Sequence, residues 1–119
     1  NPAEMDSSNV VYTGTHDSDT TLGWWTNADD QTKKSIRRHF TSENQALVWD
    51  LIENAFASNS MIAIIPAQDL LGLGSKARMN TPGTTKGNWA WRMAQRDELL
   101  NLRMRVRGLL EAHRPYKTK

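Results

Sequence analysis

The sequence predicts an α/β fold in which about two short parallel strands are joined and followed by helices. A β-prone run, 9–13, and an apolar run, 61–65, both of strand length, stand on either side of a long helical pattern, 28–57. A second helical pattern, 97–112, comes after a stretch from 67 to 91 that is interrupted by Gly, Pro and Asn and shows little periodicity. Strand, helices and strand in this order predict a right-handed crossover, as in a portion of a (β/α)8 TIM-type barrel.

The first predicted strand, 9–13, leads into a cluster of polar residues. Gly14 follows it, and three side chains capable of chemistry come next, His16, Asp17 and Asp19. Exposed carboxylates and a histidine just past a strand end suit a site on a strand-to-helix connection better than a core. Asp19 precedes an apolar turn and could instead cap a short helix, whereas Asp17 has no such structural role. The sequence therefore marks Asp17 as a candidate site residue.

The segment 28–57 divides into two predicted helices. In the first, acidic residues precede basic ones, which is the order that a helix dipole favours. Its thin apolar stripe, Ile36 and Phe40, predicts an exposed helix. Ser42 and Gln45 have the spacing of a capping box for the second helix. The apolar residues of that second helix fall on one face and predict its burial: Val48, Trp49, Ile52, Ala55 and Phe56.

The second predicted strand, 61–65, is apolar without alternation and stops at Pro66. Such a run fits a strand covered on both faces in a parallel sheet. The loop 67–91 that follows is of a length that is usually functional or disordered. Because all strands of a parallel barrel point the same way, the loops after both predicted strands should leave at one end. Their polar residues are therefore expected to share one face.

The last predicted helix, 97–112, is amphipathic and lies in the basic part of the chain. Its apolar side consists of Leu99, Leu102, Val106, Leu109 and Leu110. Residues 1–75 hold four Lys/Arg against ten Asp/Glu, whereas residues 76–119 hold eleven against three. A basic tail fits either a nucleic-acid-binding module or a solvated helix face. Nucleic acid is the less favoured partner, because no groove-reading motif accompanies the charge.

A metal-dependent hydrolase that uses His16, Asp17 and Asp19 is a second alternative function. Three ligands within four residues of one loop, with no second cluster, make a poor site, so no metal is expected. The chain has no cysteine, which excludes thiol chemistry and suits a cytoplasmic protein. No apolar run approaches the roughly 18 residues of a spanning helix, and no signal-peptide pattern is present, so no membrane partner is expected.

Two blocks of the sequence carry a family resemblance. The first is the segment 9–25, which contains His16 and Asp17. The second runs from 65 to 83 as IPAQDLLGLGSKARMNTPG and continues from 87 to 92 as GNWAWR. In order and separation these blocks resemble the amylomaltases, the 4-α-glucanotransferases of the α-amylase superfamily. The resemblance covers nearly the whole chain and is weaker in the connector between the blocks and in the tail.

The chain departs from the family pattern at two positions. Ser18 stands where the family is expected to have Asn, and Lys76 stands where it is expected to have Glu. Neither is a catalytic position in that family, so only local contacts are affected.

The resemblance implies an activity and a division of roles. Retaining transfer of an α-1,4-glucan needs a nucleophile and a general acid/base roughly 5–5.5 Å apart, and the family carries both on strands that precede this segment. Asp17 is then the third carboxylate, which stabilises the transition state. His16 is implied to hydrogen-bond the same sugar, and Asn80 corresponds to the family's sugar-binding asparagine. Asp69 lies past a strand end and completes no acid/base pair with Asp17.

Trp89 and Trp91 leave two interpretations open. Their rings can stack on glucose, or they can pin the long loop onto the last helix. We expect Trp89 to bind substrate.

The amylomaltases are several times longer than 119 residues, so the chain is expected to be the C-terminal part of such an enzyme. Its expected partners are a maltooligosaccharide or α-1,4-glucan substrate and the N-terminal part of the same enzyme. No cofactor is expected in the chemistry. Strand edges that have lost their barrel neighbours predict self-association of the isolated piece. The piece alone is expected to be inactive, because it lacks the nucleophile and the general acid/base.

Overall fold

The protein, described here as a computed structural model over residues 8–115, pairs two parallel strands beside a layer of helices. In chain order the elements are β1 Val10–Tyr12, α1 Thr21–Asn27, α2 Asp30–Arg37, α3 Asn44–Ala57, β2 Ile62–Ile64, α4 Ala67–Leu70, a 3₁₀ turn Ser75–Ala77, α5 Arg96–Asn101 and α6 Arg103–His113. The predicted helix-rich α/β class with two parallel strands is confirmed.

The sheet fixes the direction in which the two polar loops leave. Val10 pairs with Ile62 and Tyr12 with Ile64, with the strands parallel. The N–H of Thr13 also donates to the carbonyl of Ile64 at 3.4 Å. Because the two strands are parallel, with α1, α2 and α3 forming the crossover between them, both strands end at the same edge of the sheet. The loops after β1 and β2 therefore start side by side.

Helix α3 is the centre of the core. Val48, Trp49, Ile52 and Phe56 form a buried cluster, and Ala55 is buried beside it, so the predicted apolar face is confirmed. Partly buried side chains from the other elements pack against this cluster: Leu22, Ala63, Ile65, Leu70, Leu102, Val106 and Leu109. Burial of this apolar stripe is what holds the helices against β2.

The helix starts differ from the sequence prediction. The capping box from Ser42 is wrong: α3 begins after Glu43, which makes no side-chain cap bond. The Arg37 guanidinium holds the Glu43 carboxylate instead, with Nη2–Oε1 and Nε–Oε1 distances of 2.6 and 2.9 Å. The short helix α1 is capped by Thr20 and not by Asp19, since the Thr20 hydroxyl accepts from the N–H of Gly23 at 3.1 Å.

In this chain the second strand is covered on one face only, whereas its apolar run fits a strand covered on both faces in a parallel sheet. Ala63 and Ile65 pack on the α3 cluster, whereas Ile62 and Ile64 are 47% and 46% exposed. Side chains of a strand alternate between its two faces, so a strand with helices on one side leaves every second residue outside. Met61 is exposed as well.

The predicted loop and last helix also differ in detail from the structure. The segment 67–91 opens with α4 and contains the 3₁₀ turn, so its first part is ordered by local hydrogen bonds. The helix predicted over 97–112 is divided into α5 and α6 at Leu102, whose side chain packs on the core. Leu110 is more than one-third exposed and does not join that cluster.

The end of α6 is held by Arg114. Its guanidinium donates to the carbonyl of Phe56 at 2.9 Å and to the hydroxyls of Ser58 and Ser60 at 3.2 and 3.1 Å. Carbonyls at a helix C-terminus lack partners within the helix. Arg114 therefore satisfies the end of α3 and ties it to the end of α6.

Asp29 should make the helical content depend on pH. Its carboxylate caps α2, accepting from the N–H of Thr32 at 2.7 Å, and this bond holds the pKa of Asp29 below its usual value of 3.8. The folded state thus favours the ionised form, so the cap stabilises above the unfolded-state pKa and is lost as pH falls through the lower folded-state pKa. Far-UV circular dichroism should show Asp29→Ala losing helix at about pH 6 and matching the parent at about pH 2. Asp30→Ala, on the next residue of α2, is the control, and an equal effect at both pH values would contradict the cap.

Candidate functional site

The loops after β1 and β2 meet beyond the carboxyl ends of the strands. The side-chain amide of Asn80 donates to Asp17 Oδ1 at 2.7 Å, across 63 positions of sequence. The Asn80 backbone N–H donates to the carbonyl of His16 at 3.0 Å. Two of the predicted sugar-binding side chains and the predicted catalytic carboxylate are therefore brought into one cluster.

Arg78 joins the same cluster, although sequence reasoning gave it no role. Its Nη2 donates to the backbone carbonyl of Asp17 and its Nε donates to that of Asn80, both at 2.8 Å. Every residue offers a carbonyl, so no partner residue type could have pointed to this bridge. The available signal was position alone, because Arg78 stands two residues before Asn80.

His16 lies between the Asp17 carboxylate and Trp89, the fourth predicted site residue. Its Nε2 lies 3.2 Å from Asp17 Oδ2, and both side chains are more than half exposed. The His16 ring also faces the Trp89 ring at a centroid distance of 5.2 Å. All four predicted site residues, His16, Asp17, Asn80 and Trp89, thus lie together at the surface.

Trp89 adopts an unusual backbone conformation at this place. Its φ is +57°, a left-handed value that costs a bulky residue about 1–3 kcal/mol and that recurs at active sites and ligand-binding positions. The Trp89 N–H donates to the carbonyl of Met79, which fixes the turn, and the side chain is 53% exposed. An exposed ring beside His16 favours contact with a ligand over the alternative that Trp89 pins the loop to the last helix.

An open cleft of about 490 Å³ lies at the strand ends beside this cluster. Tyr12 and Ile64 contribute apolar surface to it, while His16 and Gln68 contribute polar groups. Binding sites for small ligands combine apolar walls with a few placed polar groups in volumes of roughly 300–1,000 Å³. The cleft can therefore accept a small polar molecule with apolar faces.

Asp69 is a structural carboxylate and is not available to a ligand. It is 1% exposed and accepts from the hydroxyls of Thr13 and Thr21 at 2.6 and 2.7 Å and from the N–H of Thr21 at 2.8 Å. These bonds occupy both oxygens. They fasten the end of β1 and the start of α1 to α4, the helix that carries Asp69.

Asp19 is also structural. Its Oδ2 accepts from the hydroxyl of Ser75 at 2.8 Å, which ties the first loop to the 3₁₀ turn of the second. A Cβ on Gly23 would stand 2.4 Å from the Ser75 Oγ and 2.5 Å from the Asp19 Oδ1. Glycine is needed there because α1 approaches this bridge so closely.

The two alternative functions find no support. Over residues 8–115, no group of three or more His, Cys, Asp or Glu is arranged to hold a metal ion. Several basic residues of the tail are used inside the chain: the Arg105 guanidinium stacks 3.9 Å from the centroid of the Trp49 ring, and Arg107 pairs with Glu111 at 3.0 Å. In the same described part of the chain, every helix is too short or too polar to cross a membrane.

Comparisons with known proteins give a consistent result. A family model described as 4-alpha-glucanotransferase matches residues 1–98. The chain is similar to the 4-alpha-glucanotransferase of Synechocystis sp., with 51% identity over 84 residues, 70% of this chain and 17% of the relative. It is also similar to that of Thermus thermophilus, with 41% identity over 109 residues, 87% of this chain and 22% of the relative. The chloroplastic/amyloplastic 4-alpha-glucanotransferase of Arabidopsis thaliana is 42% identical over 116 residues, 94% of this chain and 20% of the relative.

A solved structure agrees with the curated relatives. The amylomaltase from Streptococcus agalactiae, in complex with acarbose, superposes with a TM-score of 0.82 and 27% identity, over 98% of this chain and 24% of that one. The chain thus spans about a fifth of the length of the curated relatives it matches.

Proposed function

The chain belongs to the 4-alpha-glucanotransferase family, and from that premise we propose that it supplies the sugar-stabilising part of an enzyme that transfers α-1,4-glucan segments between maltooligosaccharides. In this proposal β1 and β2 are neighbouring strands near the C-terminal end of a (β/α)8 barrel. The observation that carries it is the 2.7 Å bond between Asp17 and Asn80, which unites the loops of two parallel strands. Barrel enzymes place their chemistry at this end of the strands.

Asp17 has the role of stabilising charge in this reaction. The transfer proceeds with retention by double displacement, and its nucleophile and general acid/base lie in the rest of the barrel, roughly 5–5.5 Å apart. Positive charge develops on the glucose as the glycosidic bond breaks. An ionised carboxylate that binds the sugar hydroxyls holds that transition state more tightly than the ground state. Asp17 is suited to this because its carboxylate is more than half exposed and its oxygens contact the His16 ring and the Asn80 amide.

The other three residues of the cluster bind the same sugar. The Asn80 amide can both donate to and accept from hydroxyl groups. His16 offers its ring nitrogen beside Asp17. Trp89 offers an exposed ring, and an aromatic face packs well against the apolar face of a sugar. The proposed chemistry uses carboxyl groups alone, so dialysis against a metal chelator should leave the transfer rate unchanged.

Asn80→Ala should weaken sugar binding in the complete enzyme, that is, this chain joined to the rest of its barrel. Loss of one neutral hydrogen bond costs about 0.5–1.5 kcal/mol, so we expect KM for maltotriose to rise by about two- to tenfold. Asn101→Ala, at the exposed end of α5, is the matched control. Initial rates of disproportionation at a series of maltotriose concentrations measure this KM, and an unchanged KM would remove Asn80 from the site.

The chain on its own is proposed to be inactive and prone to self-association. One stabilising carboxylate supplies neither the covalent intermediate nor the proton transfer. Ile62 and Ile64 of β2 and Met61 just before it are exposed, where the complete barrel would cover them. Sedimentation of the purified chain should show concentration-dependent oligomers, and disproportionation of maltotriose by chain freed of host enzyme would contradict the proposed division of roles.

We assign the enzyme to the cytoplasm. The relatives from Synechocystis sp. and Thermus thermophilus are bacterial, whereas the plant relatives are chloroplastic/amyloplastic. Fractionation of the source cells decides between these compartments, and recovery of the enzyme in plastids would overturn the assignment.

A further inference from the structure

We infer that Arg78 is a positioning residue, which sets the separation of Asp17 and Asn80 while both engage the sugar. This inference rests on the sugar-binding roles proposed for those two residues. Arg78 bridges the loops through main-chain atoms: Nη2 donates to the carbonyl of Asp17 and Nε donates to the carbonyl of Asn80, each at 2.8 Å. No sugar contact is assigned to it.

The bridge matters because it joins the two loops without using the side-chain atoms of Asp17 and Asn80. The direct contact joins the Asn80 amide to Asp17 Oδ1, and both of these groups are proposed to bind sugar hydroxyls. Sugar hydroxyls therefore compete for the atoms of the direct contact. The Arg78 bonds end on backbone carbonyls, which the sugar does not use. They can therefore persist throughout the reaction.

Arg78 is itself held in place by its surroundings. Ala77, the residue before it, is buried, and the carbonyl of Ala77 accepts from the side-chain amide of Gln68 at 3.3 Å. The backbone just before Arg78 is thus anchored to Gln68 of α4. A guanidinium donates along fixed directions in one plane, so it can hold two carbonyls at a set spacing, which a single ammonium group cannot do.

The remaining ties between the loops do not replace this bridge. The Asn80 N–H bonds the carbonyl of His16, the residue before Asp17. Asp19 bonds Ser75, and Thr13 bonds Asp69. None of these bonds is made to the carbonyl of Asp17. Without Arg78, the carbonyl of Asp17 loses the contact that joins it to the second loop. A misplacement of about 1 Å at a catalytic group can cost about 100-fold in rate.

The test compares four variants of the complete enzyme with the parent in maltotriose disproportionation. Arg78→Ala should lower kcat by about 10- to 100-fold and change KM by less than about threefold, because the sugar contacts themselves remain. Guanidinium ion at millimolar concentration should restore part of kcat to Arg78→Ala and none to Asp17→Asn. Arg78→Lys keeps the positive charge but lacks the planar set of N–H donors, so its kcat should stay at least about tenfold below that of the parent. Arg96→Ala, an exposed arginine at the start of α5, is the matched control.

The possible outcomes separate this inference from the proposed function. Near-normal activity of Asp17→Asn would refute the proposed function whatever Arg78 does. A large loss of kcat in Asp17→Asn together with the parent's kcat in Arg78→Ala would refute the positioning role alone. Full activity of Arg78→Lys would refute it as well. A rise in KM with kcat unchanged would show that Arg78 binds the sugar directly. If Arg78→Ala fails to fold, Arg78→Lys decides the question through the same kcat and KM values.

Discussion

Replacement of Asp17 by Asn in the complete enzyme is expected to lower kcat for glucan transfer by about 100- to 1,000-fold while leaving the fold intact. The amide has nearly the shape of the carboxylate and keeps an oxygen that can accept from Asn80. It lacks the negative charge that would stabilise the developing positive charge on the glucose. Because this charge arises only on the way to the transition state, the loss should fall on kcat more than on KM.

The measurement for Asp17→Asn is the rate of product formation from maltotriose, followed by chain length. Asp30→Asn, on the exposed first turn of α2, controls for the removal of one surface charge. Thermal unfolding should give similar midpoints for both variants and the parent. Turnover of Asp17→Asn within about threefold of the parent would show that the carboxylate is not a transition-state group.

Asp69→Ala is expected to destabilise the chain by about 2–5 kcal/mol. The substitution removes a buried acceptor of three hydrogen bonds. The Thr21 hydroxyl retains a second acceptor, the carbonyl of Thr13 at 3.2 Å. The Thr13 hydroxyl and the Thr21 N–H are left without this partner, and each unsatisfied buried donor costs about 1–3 kcal/mol.

Urea unfolding of the 119-residue chain, followed by circular dichroism, measures this loss. Asp69→Asn should lie between the parent and Asp69→Ala, because its remaining oxygen can accept from the Thr21 N–H while the threonine hydroxyls turn to accept from its amide. Asp97→Ala, on an exposed turn of α5, should change the free energy of unfolding by less than about 0.5 kcal/mol. If Asp69→Ala behaved like Asp97→Ala, Asp69 would not be the fastening between β1, α1 and α4.

The predictable part of the fold is the part determined by local pattern. The apolar face of α3, with Ile52 and Phe56 at its centre, follows from helical periodicity, and the structure buries both residues. The two strands follow from short β-prone runs that end at Gly14 and Pro66. Their parallel pairing then predicts that the loops carrying Asp17 and Asn80 meet, and they do.

The unpredicted part depends on contacts between distant residues or with backbone atoms. Asp69 resembles any loop carboxylate in sequence, and its partners Thr13 and Thr21 lie 56 and 48 positions away. Arg78 bonds carbonyls, which carry no sequence signature. The failed capping box near α3 has the same origin, because Glu43 is held by Arg37 from the preceding helix.

The central claim is that Asp17 and Asn80 hold the same glucose, and a crystal structure of the complete enzyme with a bound maltooligosaccharide tests it most directly. We expect the Asp17 carboxylate and the Asn80 amide each to lie about 2.7–3.2 Å from hydroxyls of one sugar ring. The Trp89 ring should lie against a sugar face, and the Arg78 bonds to both carbonyls should remain. A bound glucan that leaves Asp17 paired with Asn80 and contacts neither side chain would contradict the claim.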